Sequence, residues 1–194
     1  MAAARNLRTF GGMSTSVHAL RGFRASLLRF AADSAQAVFD QDGLLVAGPG
    51  SEDATGTQQV LAAGPYADVA PLYPGLAVEH LPGRIIAPGF VDMHIHYPQT
   101  DVIGAPAEGL LPWLENYTFP HEKRFSATDY AADVASFFVA ELLRNGVTTA
   151  LTFATSHPIS VNALFSEAQK HHMRLITGKV LQDRHSPDGV RDET

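Results

Sequence analysis

Pro88-Gly89-Phe90-Val91-Asp92-Met93-His94-Ile95-His96 is the stretch on which the fold turns. A proline-glycine break opens a short apolar run, Phe90 to Ile95, long enough for one strand, and the run closes on two histidines one residue apart. Along a strand, residues i and i+2 point to the same face, so both imidazoles can converge on one ion. That is half of a metal site. Zinc takes imidazole nitrogen at about 2.0–2.1 Å and keeps a position open when catalytic, so further ligands must come from elsewhere.

Toward the C-terminus the rhythm alternates. Ser126 with Asp129 three residues on reads as a capping box, opening a helix that carries Tyr130, Val134, Phe137, Phe138 and Leu142 inward and stops at Gly146. Val147 to Phe153, rich in β-branched residues, reads as a strand, 160–173 as a second amphipathic helix and 175–181 as a third strand. A β-α-β-α-β order predicts parallel strands joined by right-handed crossovers, hence an α/β sheet or barrel. Ligands of such folds bind beyond the carboxyl ends of the strands, which here are 94–99, 154–157 and 182–185. His157, Asp183 and Arg184 fall on that rim. Arg184 reads as a salt-bridge partner of Asp183 or of a neighbouring loop, and His157 carries no assigned role.

Toward the N-terminus the spacing shortens to apolar runs at 25–30, 35–39, 44–47, 59–63 and 76–81, the mark of a β-rich segment. Asp42-Gly43 reads as a hairpin turn, and Gly48 to Gly56 as a loop. The expected organisation is an extension over 1–24, a β-rich segment over 25–87 and an α/β part over 88–194.

Fourteen Lys and Arg stand against twenty Asp and Glu among 194 residues, a net charge of −6, so nucleic acid and anionic membranes are poor partners. With no Cys, thiolate zinc sites, disulfide scaffolds and thiol nucleophiles are excluded. No apolar run approaches the roughly 20 residues that span a bilayer. The first 32 residues hold five Arg and no acid but lack the apolar core of a secretion signal, which leaves a cytoplasmic location as the expectation.

The 88–96 string resembles the first-strand signature of the amidohydrolase superfamily, in which a small β-sandwich flanks a metal-bearing (β/α)8 barrel. Four further strings are similar to its guanine deaminase branch: His96-Tyr97-Pro98-Gln99, the run from Leu111 to Pro120 (LPWLENYTFP), Gly146-Val147-Thr148-Thr149-Ala150, and Gly178 to Arg184 (GKVLQDR). Over roughly 20–194, the resemblance implies an α/β chain: a β-sandwich segment followed by the first strands and helices of an incomplete TIM-type barrel. It further implies His94 and His96 as zinc ligands, Gln99 in contact with guanine, hydrolytic deamination of guanine to xanthine and ammonia, and a homodimer. Zinc lowers the pKa of a bound water toward 7, and a carboxamide offers a purine edge both a donor and an acceptor. Trp113 is the preferred aromatic to stack on a flat base; alternatively, with Tyr117 and Phe119, it packs the loop. Asp92 reads either as an acceptor that orients an imidazole or as a simple strand-end carboxylate.

A closed barrel needs about 250 residues. From Pro88 onward there are 107. The family's two later histidines, proton-shuttling glutamate and aspartate have no counterpart here, so no general acid or base is assigned and the chain alone is expected to be inactive. Two other readings stand beside this one. The first is an amidohydrolase acting on a different heterocycle; the second is a non-catalytic truncated chain that binds a full-length partner through its open strand edge.

Overall fold

The structure, a computed structural model, describes residues 20–31, 36–49 and 58–192. The chain divides into two compact units, one ending at Pro88 and the other beginning at Gly89.

The first unit is one mixed sheet of β1 (Arg21–Phe30), β2 (Ala37–Pro49), β3 (Gln58–Pro65) and β4 (Val78–Ile86), in the order β3-β2-β1-β4. β1 and β3 run antiparallel to β2, while β4 runs parallel to β1. Leu44 and Val46 alternate into a small core with Val69 of the short helix α1 (Tyr66–Val69). β1 starts four residues before the Ala25 that the spacing suggested.

Asp42-Gly43 is not a hairpin turn. β2 runs straight through it, and the chain reverses between Phe30 and Ala37, where the Ala31 N–H donates to the Gln36 carbonyl at 3.0 Å. The dipeptide sits at a bulge: Asp40 to Gly43 faces only Ala25 to Leu27 of β1. A Cβ at Gly43 would collide with the Leu27 side chain, so glycine serves close approach there. Arg24 clamps Asp42 through two bonds of 2.7 and 2.6 Å, and Arg29 Nε donates to Asp40 at 2.7 Å. Past the bulge β2 continues and turns Leu44 and Val46 into the core, where both are buried. Residues 50–56 of the expected loop lie outside the described residues.

The second unit holds three parallel strands, β5 (Phe90–His96), β6 (Val147–Phe153) and β7 (Arg174–Gly178), in sequence order. Between β5 and β6 come a 3₁₀ turn (Tyr97–Val102), α2 (Leu110–Trp113), a π turn (Leu114–Thr118), α3 (Phe119–Arg124) and the long α4 (Thr128–Arg144). α5 (Pro158–Lys170) connects β6 to β7. Tyr97, Phe125, Ala131, Ala135, Phe138, Val139 and Leu164 form the core between the sheet and the two long helices. Tyr97 anchors the chain as it leaves β5: its ring meets Phe125 edge-on at 4.8 Å, and its hydroxyl donates to the Ala131 carbonyl.

The capping box does not form. α4 begins at Thr128 without a side-chain cap, and the Ser126 hydroxyl turns back to donate to the Lys123 carbonyl at 2.9 Å. Phe137, expected inward, is 54% exposed, because Ala131, Val134, Ala135, Phe138, Val139 and Leu142 already fill the buried face of α4. Gly146 does end the helix, at φ +80°. Among the described residues no helix is long and apolar enough to cross a membrane.

Candidate active site

Parallel pairing with β6 positions β5, and the register carries an irregularity at the point of interest. Asp92 faces Ala150 and Ile95 faces Thr152, so β5 spends three steps where β6 spends two. Such a bulge bends the strand and re-aims a side chain. The N–H of His94, inside the bulge, is satisfied by its own strand: it donates to Asp92 Oδ1 at 3.0 Å.

The outcome is a facing pair. His94 Nε2 and His96 Nε2 lie 3.2 Å apart, with ring centroids at 5.1 Å. That separation suits a hydrogen bond from one ring N–H to its neighbour's lone pair. It suits an ion equally well: two nitrogens each about 2.05 Å from one centre and 3.2 Å apart subtend about 100°, near the tetrahedral angle. His96 is half-buried, and that burial, helped by the adjacent His94, lowers its pKa below the usual imidazole value. A neutral imidazole is the form that binds metal. The donor set therefore fits zinc as two of its ligands. Among the described residues no cluster of three or more His, Cys, Asp or Glu gathers to complete the shell.

Gln99, on the 3₁₀ turn directly after β5, lines the same cavity of about 610 Å³ as His94 and His96. Ile95 of β5 and Phe137 and Glu141 of α4 line it as well, and β5 is the edge strand of its sheet among the described residues. Trp113, half-buried at the end of α2, is not among the residues lining it.

The rim segments are tied to one another. The His157 ring bonds the Gly189 carbonyl at 3.0 Å, and the Val180 N–H donates to the Thr155 carbonyl at 3.1 Å. Gln182 donates to the Val190 carbonyl at 2.7 Å and also hydrogen-bonds Glu122 of α3. Burial pushes the Glu122 carboxyl up to about 7, the bond from Gln182 working in the opposite direction. Asp183 and Arg184 are exposed, and no ion pair joins them among the described residues.

One residue beside the histidines carried no sequence signal. Phe153, the last residue of β6, pairs in register with His96 and stacks on its ring at 4.7 Å and 12°. Its position at a strand end was legible; its partner depends on the register beyond the bulge.

Residues 85–194 match the amidohydrolase family. The guanine deaminase of Escherichia coli K12 is 54% identical over 110 residues, which are 57% of this chain and 25% of that protein. A probable guanine deaminase of Deinococcus radiodurans is 34% identical over 168 residues, covering 84% of this chain and 37% of that protein. The crystal structure of guanine deaminase from C. acetobutylicum, with guanine bound in its active site, superposes with a TM-score of 0.74 at 30% identity, over 89% of this chain and 39% of that one. The chain thus spans about a quarter to two fifths of the length of these relatives. With every strand and long helix that builds the histidine pair inside the matched stretch, the chain belongs to the amidohydrolase family.

Proposed function

We propose that this chain carries the first part of a zinc-dependent guanine deaminase, which hydrolyses guanine to xanthine and ammonia. The observation that carries this is the pair of imidazole nitrogens 3.2 Å apart at the carboxyl end of the first parallel strand, beside Gln99. The similarity to guanine deaminases, one of them solved with guanine in its active site, supports the choice of substrate.

In this reading His94 and His96 hold the metal. Asp92 fixes the backbone of the bulge from which His94 projects, and so acts on the ligand through the main chain and not through its ring. Gln99 offers the purine edge a donor and an acceptor together. Trp113, on the connection that leaves β5, stands outside the cavity that His94, His96 and Gln99 line, so it is assigned to the alternative role of packing that loop. Zinc, when bound, supplies Lewis-acid activation of the attacking water. Two histidines leave the ion short of protein ligands. The remaining ligands and the proton-transfer group are assigned to the part of such a deaminase that this chain does not span. The four-stranded sheet is one layer of the expected β-sandwich, and β5-β6-β7 are the first strands of the barrel.

The test is turnover by the complete zinc-loaded protein against guanine and a panel of other cyclic amidines, pyrimidines and triazines, read as ammonia release. Guanine as the preferred substrate supports the reading. Activity on another heterocycle with none on guanine would replace it with a different amidohydrolase.

A further inference from the structure

Phe153 is an apolar ring left 38% exposed at a strand end, and what it touches is the histidine pair. It lies against His96 nearly parallel, 12° between planes at 4.7 Å, and against His94 at 5.1 Å and 49°. The cross-strand register explains the contact, since His96 and Phe153 are direct partners in the β5/β6 ladder. An imidazole has a broad, roughly two-fold χ2 preference, so one at the end of a strand has a poorly defined ring plane. A parallel aromatic face removes that freedom. Because an imidazole nitrogen binds a metal in the plane of its ring, fixing the plane fixes the line along which Nε2 points. A phenyl ring also brings no donor or acceptor to compete for the nitrogens.

We propose that Phe153 is a positioning residue for the metal site: its ring sets the plane of His96, so that Nε2 meets the ion already aimed by His94. This rests on the assignment of the histidine pair as zinc ligands. The test uses Phe153→Leu, which keeps apolar bulk without a flat face, and Phe153→Tyr, which keeps the face. Zinc affinity is measured by competition with a chromogenic chelator, the ligand field by the visible spectrum of the cobalt(II)-loaded protein, and folding by thermal unfolding of the metal-free form. Removing an outer-shell support costs about 10-fold or more in metal affinity. The expected result is a loss of that size and a shifted cobalt band in Phe153→Leu, an unchanged metal-free Tm, and both properties retained in Phe153→Tyr. A Phe153→Leu protein that binds zinc as tightly as the wild type, with the same cobalt spectrum, overturns the proposal. If Phe153→Leu does not fold, Phe153→Met, which also keeps apolar bulk without a flat face, takes its place and is read the same way: weakened zinc binding with a shifted cobalt band supports the stack, and wild-type values overturn it. A wild-type protein that binds no zinc removes the metal assignment itself, and this inference with it.

Discussion

Asp92 is the residue where local geometry and proposed chemistry meet. Its carboxylate caps the N–H that the bulge withdraws from the β5/β6 ladder. The Asp92→Ala variant is expected to bind zinc about 10-fold more weakly, since the backbone beneath His94 loses its acceptor. Asp92→Asn, which keeps an oxygen in place, is expected to bind near the wild-type level. Gln99→Ala is expected to raise KM or lower kcat/KM for guanine by about 10- to 100-fold, the cost of leaving a recognition hydrogen bond unmade, without changing zinc content. Steady-state kinetics on the complete protein and metal analysis of the same samples check both. The pairing of His94 with His96 was legible because strand alternation alone places i and i+2 together. The bulge was not, because it exists only relative to β6, and neither was Phe153, whose contact follows from that register.

Among the elements, agreement between sequence and structure followed how far each decision was local. Val147 to Phe153 forms β6 with the bounds its β-branched content suggested. Asp42-Gly43 carried a strong turn signal, yet burial of Leu44 and Val46 and the two arginine clamps across the bulge outweighed it. Ser126 matched a capping pattern, but α4 starts one residue too late for its hydroxyl to reach the helix. Ser126→Ala should therefore change stability by less than about 0.5 kcal/mol, where loss of a true N-cap costs typically about 1. Leu164, fully buried where α5 meets the core, should cost about 2–5 kcal/mol on truncation to Ala. Chemical denaturation of the two variants distinguishes these outcomes.

The link between α3 and the segment after β7 gives a dependence on pH. Glu122 has its carboxyl raised from 4.5 to about 7 by burial, so the folded protein holds a proton there that the unfolded chain has released. Its contribution to stability is complete below about pH 4.5 and is lost as pH rises through about 7. Glu122→Gln removes the titration while keeping a hydrogen-bonding group. The variant is expected to gain Tm relative to wild type between pH 5 and pH 8, measured by calorimetry at several pH values. An equal Tm difference at every pH would contradict the assignment.

For the molecule as a whole, the α/β class of the second unit was legible from the alternation after Pro88. What the alternation could not supply is the rest of the site, since metal ligands in such folds come from the ends of several strands. This chain provides β5, β6 and β7, and among the described residues at their ends the His94 and His96 imidazoles face each other. A division of labour is expected: these residues aim the ion and meet the base, and the part of the deaminase that this chain does not span finishes the shell and moves the proton. The most direct test is anomalous diffraction at the zinc edge from crystals of the complete protein. One peak is expected at about 2.0–2.1 Å from Nε2 of both His94 and His96, abolished in His94→Ala. A zinc peak away from this pair, or retained at full occupancy in that variant, would contradict it.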